Sequence, residues 1–215
     1  MVFRNREQAG LHLSQFVEDS VLHDPLVLGI PRGGVVVAAE LALRLNAELD
    51  IVLARKLRTP YHGELAMGAI AEDGQTFLNE YADLLTGELQ GRIGPEIDKQ
   101  TRELSRCKQL YRTVRPRAPM VGRSVILTDD GVATGATMLA AIEMIKAEQP
   151  RELILALPVA PPKSVALLEP LCQRLVCLVT TDNFGALSLY YLFFEQVTDQ
   201  RVVELLQASR APCRA

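Results

Sequence analysis

Residues 124–137 constrain the fold of this chain more than any other part of the sequence. They read SVILTDDGVATGAT: a short apolar run, two adjacent carboxylates, and then small and hydroxyl residues. An apolar run of this length that is followed by turn residues predicts a buried strand. From residue 134 to residue 148, apolar side chains recur at helical spacing, and Pro150 ends the pattern. The sequence therefore predicts a strand, a loop and a helix in immediate succession.

The predicted loop between this strand and this helix has the properties of an anion site. A helix N-terminus offers unpaired backbone N–H groups and the positive end of the helix dipole. Gly131 and Gly135 allow the backbone to approach a ligand closely, and Thr134 and Thr137 add hydroxyl donors. The lysine of a P-loop is absent. An ordinary strand-to-helix turn, with threonine as the helix cap, is the alternative interpretation.

The two carboxylates before the loop, Asp129 and Asp130, indicate what lies beside the anion. Carboxylates repel phosphate, so their natural partners are neutral hydroxyl groups or a bound cation. A ribose 5-phosphate has a phosphate at one end and a diol beside it. The run therefore favours a phosphorylated sugar as the ligand.

A second glycine-rich turn follows the apolar run at residues 26–30. Arg32, Gly33 and Gly34 come next, and a helix is predicted from residue 35 to residue 45. The arginine places a fixed cation beside another set of helix-start N–H groups. A tight turn that needs glycine for backbone reasons alone is the alternative. Two anion loops in one chain favour a ligand with two phosphate groups.

Cations also follow the next apolar run, at residues 49–53. Arg55 and Lys56 are predicted at the carboxyl end of that strand. In open α/β sheets, ligands bind in the crevice outside the carboxyl ends of the strands. Both side chains are therefore candidates to bind an anionic group.

The order of the elements predicts the fold class. Strand and helix patterns alternate from residue 26 to residue 180, which is typical of a doubly wound, mostly parallel α/β sheet flanked by helices. The 215 residues suit a single domain. Three segments depart from the alternation. They are a loop and hairpin at 58–80, expected to be a mobile lid; a helical insertion at 80–113, packed on a partner subunit or exposed to solvent; and a small C-terminal hood at 180–207.

Composition and charge narrow the function classes. With 48% hydrophobic and 23% charged residues, the chain is ordinary for a soluble globular protein. Its net charge of −3 gives no basic surplus, so nucleic-acid binding is not expected. No signal peptide or membrane-length apolar run is visible, and we expect a cytoplasmic protein without a membrane partner. The spacing of the four cysteines fits no zinc site.

The run DDGVATGAT resembles the signature of the type I phosphoribosyltransferases, which bind 5-phosphoribosyl 1-diphosphate (PRPP). The resemblance covers most of residues 1–207 and implies the fold of that family. It also implies transfer of the phosphoribosyl group to a nitrogenous, purine-like base, with release of pyrophosphate, in nucleotide salvage. Mg²⁺ is the implied cofactor, and a homodimer or higher homo-oligomer is the implied assembly.

The resemblance assigns roles to the first anion loop and the carboxylates before it. Asp129 and Asp130 would contact the ribose hydroxyls and act in catalysis, and they would meet the metal only indirectly, through PRPP or water. The residues implied for the 5'-phosphate are Val132, Ala133, Thr134, Gly135, Ala136 and Thr137.

The second loop and the nearby cations receive the pyrophosphate in the same resemblance. Arg32, Gly33 and Gly34 look like the pyrophosphate loop, in which members of the family often have a strained or cis peptide. A lysine or arginine after the next strand contacts the same group in the family, so Lys56 is the first choice here and Arg55 the second.

The acceptor base is assigned to the C-terminal hood. Phe184 follows a strand end, where an aromatic ring could stack on a planar base. Core packing is the better interpretation for Phe193 and Phe194. The region resembles a bacterial and cyanobacterial phosphoribosyltransferase-like subfamily, but residues 186–188 read Ala-Leu-Ser where typical members have Ala-Val-Gly, so the base pocket is expected to differ.

An acid–base residue is harder to assign. Hypoxanthine-type members have an acidic residue where this chain has Ala133, whereas adenine-type members have alanine there and use a glutamate from the mobile loop. Glu64 is the matching candidate by region, and a plain surface residue is the alternative. A catalytically silent PRPP-sensing regulator of the same fold is the alternative function. A hydrolase is not favoured, because no Gly-x-Ser-x-Gly motif occurs.

Overall fold

The computed structural model describes residues 2–18, 21–59, 66–72, 74–78, 91 and 93–209. The strands are β1 (Leu26–Gly29), β2 (Glu48–Ile51), β3 (Ala54–Arg58), β4 (Ala66–Ala71), β5 (Thr76–Leu78), β6 (Ser124–Thr128), β7 (Glu152–Ala160) and β8 (Arg174–Thr180). The helices are α1 (Arg6–Val17), α2 (Gly33–Arg44), α3 (Ile93–Arg112), α4 (Ala136–Ala147), α5 (Pro162–Leu168) and α6 (Asp199–Ala208). Short 3₁₀ turns cover Glu169–Leu171 and Leu187–Tyr190. Within these ranges, no helix combines the length and the apolarity that a membrane crossing would need.

The apolar runs form a parallel central sheet, as the alternation of patterns predicts. The strand order is β2-β1-β6-β7-β8, and every neighbouring pair is parallel. After β1 the chain adds β2 on one side of the sheet, whereas after β6 it adds β7 and β8 on the opposite side. The strand order therefore reverses between β1 and β6, and the crevice outside their carboxyl ends is where such sheets bind ligands.

Helices cover both faces of this sheet because its strands are apolar on both sides. Val27 and Ile126 belong to a core that includes residues of α1, α2, α3 and α6. Leu28 and Leu127, one position further along, belong to a second core with α4 and α5. Successive side chains of a strand point to opposite faces, so both faces are buried. The prediction of a doubly wound α/β sheet is confirmed.

Strand β7 is longer than the sequence predicts. Residues 153–157 form an apolar run followed by Pro158, and this pattern predicts a strand end there, but the strand continues to Ala160. Proline lacks a backbone N–H and is tolerated where one edge of a strand is free. The pairing of β6 with β7 ends at Ala156, so the later residues of β7 pair with β8 alone. The expected end at Pro158 is therefore wrong.

Strands β3, β4 and β5 form a separate antiparallel sheet. The hairpin predicted within residues 58–80 is confirmed, since β4 and β5 pair as antiparallel neighbours. The expected position of Arg55 and Lys56 at the end of a parallel strand is wrong. The chain turns after Ile51, and both residues lie inside β3, which pairs with β4. Glu64 lies outside the described residues, and the lid role of 58–80 stays a prediction.

Helix α3 confirms the predicted helical pattern of the 80–113 insertion from Ile93 onward; residues 79–90 and 92 lie outside the described part. Its last residue, Arg112, joins the two sheets. The Arg112 guanidinium donates to Asp50 Oδ1 at 2.6 Å and to Glu72 Oε2 at 2.9 Å. Asp50 lies on β2, and Glu72 directly follows β4. Both carboxylates are buried, so this bridge fixes the small sheet against the large one.

The beginning of α1 packs against the C-terminal hood. Asn5, a residue type that commonly caps helices, caps α1 by accepting a hydrogen bond from the backbone N–H of Gln8 at 3.0 Å. Phe3 forms a parallel β-bridge with Tyr191. Phe193 is 60% exposed, so the prediction that it packs in the core is wrong. The ring that packs inward is Phe194, which stacks on Tyr191 at a centroid distance of 5.0 Å.

Candidate functional site

The two glycine-rich loops meet where the strand order reverses. A Cβ atom on Gly33 would lie 1.9 Å from Asp130 Oδ2, and one on Gly34 would lie 2.8 Å from the Cα of Asp129. These distances leave no room for a side chain, so glycine is required for the close approach of the loops. The peptide bond between Pro31 and Arg32 is cis, as the resemblance implies.

The loop after β6 presents its backbone N–H groups. The Val132 N–H donates to the Val159 carbonyl at 3.0 Å, on the edge of β7 that β6 leaves free. The Ala133 carbonyl accepts from Ser164 Oγ at 2.7 Å. Gly135 has φ of 80° and precedes the first residue of α4. The N–H groups of residues 133–137 donate to no acceptor in the described part of the chain, so they remain available to an anion.

The two adjacent carboxylates have different surroundings. Asp129 Oδ1 accepts a hydrogen bond from the backbone N–H of Asp130 at 2.8 Å. Burial raises the pKa of the Asp129 carboxyl well above its usual range, and the neighbouring Asp130 carboxylate raises it further. Asp130 Oδ2, in contrast, accepts from Arg6 Nε at 2.8 Å.

Arg6 is a residue of this site that the sequence analysis missed. Its side chain is 10% exposed, and it also donates to the Glu195 carbonyl at 2.9 Å. The Tyr191 hydroxyl donates to the Asp130 carbonyl at 2.5 Å, and burial, with the Asp130 charge next, raises the pKa of that phenol. These partners come from distant segments, and we find no local sequence signal that pairs them.

A cation-rich cavity of about 530 Å³ lies beside the loops, between β3 and α3. Arg32 and Lys56 line it, and their side chains have no hydrogen-bond or ion-pair partner among the described residues. Arg55 also lines it, but its guanidinium is 3.2 Å from Glu103 Oε1. Thr137, from the first loop, reaches the same cavity. Side chains of both loops and of β3 therefore converge on one space.

A polar cluster that lines this cavity was also missed by the sequence analysis. The Tyr111 hydroxyl donates to Asp199 Oδ1 at 2.6 Å, and Arg106 Nη1 is 3.0 Å from Asp199 Oδ2. The Tyr111 hydrogen bond lowers the pKa of Asp199, while burial raises the pKa of Tyr111. The cluster holds the N-terminus of α6 against α3.

Phe184 is not brought to this cavity by any described contact. The Phe184 ring packs on Tyr190 at a centroid distance of 5.6 Å, and Phe184 is not among the residues that line the cavity. Glu64 lies outside the described residues. Nor do the described ranges contain a group of three or more histidine, cysteine, aspartate or glutamate side chains able to hold a metal ion.

Comparison with known proteins shows which family this chain resembles in sequence and fold. The phosphoribosyl transferase domain model matches residues 4–193. A Mycobacterium tuberculosis protein, H37Rv strain, is 39% identical over 207 residues and is itself named only provisionally as a phosphoribosyl transferase. The match covers 95% of this chain but 46% of that relative, so the chain spans about half of its length.

Two solved structures extend the comparison. The protein TT1426 from Thermus thermophilus has 43% identity and a TM-score of 0.86, covering 96% of this chain and 98% of that one. The AQ2163 protein from Aquifex aeolicus has 12% identity and a TM-score of 0.52, covering 95% and 84%, and shares the fold alone. With the family match over most of the sequence and the two loops at the switch point of the sheet, the chain belongs to the phosphoribosyl transferase domain family.

Proposed function

We propose that this protein binds PRPP with Mg²⁺ and transfers its phosphoribosyl group to a nitrogenous, purine-like base, releasing pyrophosphate. One observation supports this most directly. Two loops with anion-binding geometry flank the Asp129–Asp130 pair at the reversal of strand order. A ligand with a phosphate at each end and a diol between them matches that arrangement of charges.

The loop after β6 is the proposed site of the 5'-phosphate. The N–H groups of residues 133–137 are free to donate to a phosphate. The loop also leads into the N-terminus of α4, where the helix dipole is positive and favours an anion. The Thr134 and Thr137 hydroxyls would add neutral donors. The acidic pair directly before the loop would then face the ribose hydroxyls.

The cavity beside the second loop is the proposed site of the diphosphate. Arg32 and Lys56 are cations without a described partner, so an anion there would pair with them without breaking an existing ion pair. Arg55 is the less favourable choice because Glu103 already engages it. This difference supports Lys56 as the main contact from β3.

The described residues fit a Mg²⁺ that arrives with its ligand rather than one held by the protein alone. Mg²⁺ usually binds one or two carboxylates together with substrate phosphates. Asp129 is the carboxylate more available to support the metal indirectly, through PRPP or water, because Asp130 Oδ2 accepts from Arg6. When bound, the metal would supply positive charge to the departing diphosphate.

The chemistry that we propose is substitution at the anomeric carbon. The bond from that carbon to the diphosphate oxygen breaks, and a bond to a ring nitrogen of the base forms. The residues of this chain would act by holding the leaving group and the sugar in place, which is positional and electrostatic catalysis. Glu64 stays the proposed acid–base residue and Phe184 the proposed base contact; Glu64→Gln should lower turnover and leave PRPP binding intact.

Calorimetry with PRPP and Mg²⁺ tests the binding step. We expect saturable binding by the wild type and at least about a 10-fold weaker Kd for Asp129→Asn, because a charge-assisted hydrogen bond to the diol is lost. Asp98→Asn, an exposed site on α3, is the matched control. No binding by folded wild-type protein would contradict the proposal.

A panel of bases then separates the two functions of this fold. Pyrophosphate release with one base or more would support a transferase. PRPP binding without release for any base would favour the alternative, a PRPP-sensing regulatory protein.

We also propose a homodimer or higher homo-oligomer. Leu189, Leu192 and Phe193, in the hood, are 66%, 70% and 60% exposed. Burying such side chains against a second copy would remove apolar surface from water. Light scattering across a concentration series tests this, and a monomer at all concentrations would contradict it.

A further inference from the structure

Arg6 combines features that a surface arginine does not have. The residue is 8% exposed. Its Nε donates to Asp130 Oδ2 at 2.8 Å, its Nη1 donates to the Glu195 carbonyl at 2.9 Å, and its guanidinium carbon lies 3.8 Å from the centroid of the Phe194 ring. Each contact fixes a different side of the guanidinium, so its position relative to Asp130 is well defined.

Asp130 lies next to a second carboxyl group, Asp129, so a buried cation beside it changes the charge of the whole pair. Two neighbouring carboxylates at one site repel each other, and both would repel a ligand that carries several negative charges. Water screens such repulsion poorly where the groups are enclosed. A cation in contact with one carboxylate removes about one of the two charges from the local field.

We propose that Arg6 is the built-in counter-ion of the acidic pair: by holding Asp130 Oδ2, it removes about one negative charge from the field that the pair presents to an anionic sugar phosphate. The inference rests on the proposed function, because it presumes an anionic ligand at this site. It makes Arg6 a positioning residue that acts through Asp130.

The chain offers a matched comparison for this ion pair. Arg44 Nε lies 2.8 Å from Glu40 Oε1 on α2, the same separation as in the Arg6 pair. The Arg44 side chain is 48% exposed, and no residue of the two loops takes part. Exposed pairs of this kind contribute little. Arg44→Met therefore controls for loss of an arginine as such.

The experiment measures Kd by calorimetry for two ligands of different charge, PRPP with Mg²⁺ and ribose 5-phosphate. The variants are Arg6→Met, Arg6→Lys, the double variant Arg6→Met/Asp130→Asn, and Arg44→Met. We expect Arg6→Met to weaken PRPP binding by about 10- to 100-fold, with a smaller loss for ribose 5-phosphate, since electrostatic repulsion grows with ligand charge. Arg6→Lys keeps the charge and should lose less than Arg6→Met.

The double variant distinguishes an electrostatic role of Arg6 from a purely structural one. Adding Asp130→Asn removes the uncompensated charge, so it should recover part of the PRPP affinity that Arg6→Met loses. A further loss on adding Asp130→Asn, or equal losses for both ligands, would overturn the inference, since a purely structural role weakens both ligands alike. If Arg6→Met does not fold, Arg6→Gln takes its place, alone and combined with Asp130→Asn, and the same two outcomes are distinguished.

Failure of the proposed function has a different signature. If the folded wild type binds neither ligand, the PRPP assignment and the inference fall together. If the wild type binds PRPP and the variants do not follow the charge pattern, the inference alone is wrong.

Discussion

Asp129 and Asp130 are neighbours in sequence, but the fold stabilises their negative charges to different degrees. Asp130 has a cation, Arg6, at 2.8 Å, whereas Asp129 forms no ion pair in the described part of the chain. Burial therefore raises the pKa of Asp129, which means that its charged form is unfavourable in the folded protein. A carboxyl kept in this state is typical of a binding site that trades stability for function.

Replacing Asp129 should stabilise the protein near neutral pH. The raised pKa means that the folded state binds more protons than the unfolded state, so stability falls as pH rises above about 3.9, the usual aspartate value, through the raised folded-state pKa. Asp129→Asn removes this loss, with a gain on the order of 1 kcal/mol near neutral pH. Urea unfolding across a pH series measures it.

The control for that series is Asp98→Asn on the exposed face of α3. It should shift the unfolding midpoint little at any pH. A lower stability of Asp129→Asn at neutral pH would show that the Asp129 carboxylate is favourably held in the folded state, contrary to the expectation.

Lys56 gives a prediction of the opposite kind, in which binding changes and stability does not. Its ammonium group lines the cavity without a described partner, so Lys56→Met breaks no ion pair. We expect the Kd for PRPP to rise about 10- to 100-fold through loss of a charged contact. The free energy of unfolding should stay within about 0.5 kcal/mol of wild type. Lys146→Met, exposed on α4, should change neither quantity.

At the scale of elements, strand β7 and helix α4 hold the first loop between them. The free edge of β7 accepts the Val132 N–H through Val159, and Ser164 near the start of α5 holds the Ala133 carbonyl. Gly135 then turns the chain into α4 with a positive φ. The loop is therefore tied at Val132 and Ala133, while the N–H groups of residues 133–137 have no acceptor among the described residues.

Gly135→Ala should weaken both the fold and anion binding. A Cβ there would meet nothing closer than 3.7 Å, so the cost is conformational rather than steric. Left-handed backbone costs a non-glycine residue about 1–2 kcal/mol, and we expect a loss of that order in urea unfolding. Relief of the strain by a changed loop would also weaken phosphate binding.

Gly94→Ala is the matched control, with the opposite sign expected. Gly94 lies in the first turn of α3 with open space around it, so alanine should add roughly 0.5 kcal/mol or leave stability unchanged. Equal effects of the two substitutions would mean that the positive φ of Gly135 carries no cost.

At the scale of the whole molecule, Arg112 fixes the position of the small sheet relative to the large sheet at the cavity. It bridges Asp50 on the parallel sheet and Glu72 at the end of β4, and both carboxylates are at most 4% exposed. The small sheet carries Lys56, and the large sheet carries the two loops. The distance between the cations and the loops therefore depends on this buried bridge.

Arg112→Met should destabilise the protein strongly near neutral pH, by about 3–5 kcal/mol, because buried carboxylates lose their cation. Burial raises the pKa of Asp50, and Arg112 opposes that rise. Without Arg112 the pKa of Asp50 should rise further, so the loss should shrink in mildly acidic buffer, where Asp50 becomes protonated. Urea unfolding at two pH values tests this, with exposed Arg201→Met as the control; a loss independent of pH would contradict it.

Features set by adjacent residues could be predicted from the sequence. The strand, the loop and helix α4 follow from residues 124–148, and Asn5 caps α1 through a contact three residues away. The parallel sheet follows from the alternation of patterns. In each case the deciding interaction is local or repeats along the chain.

Features set by distant partners could not be predicted in this way. Arg6 and Asp130 are 124 residues apart, and Arg6 looks like any charged residue in a first helical turn. The position of Lys56 depends on the pairing of β3 with β4 rather than on its own strand pattern. The length of β7 depends on where β6 stops. Such features depend on tertiary packing, so no local sequence pattern indicates them.

The junction of residues 3–6 with residues 190–195 sets an order of events during synthesis. Phe3 and Arg6 leave the ribosome long before Tyr190 and Glu195, to which they bond at 2.8 and 2.9 Å. Strands β1 and β6 and the loops after them are therefore synthesised before the hood. Until the hood emerges, Arg6 lacks its aromatic and carbonyl contacts. A nascent chain would thus complete its pocket only after the hood has emerged.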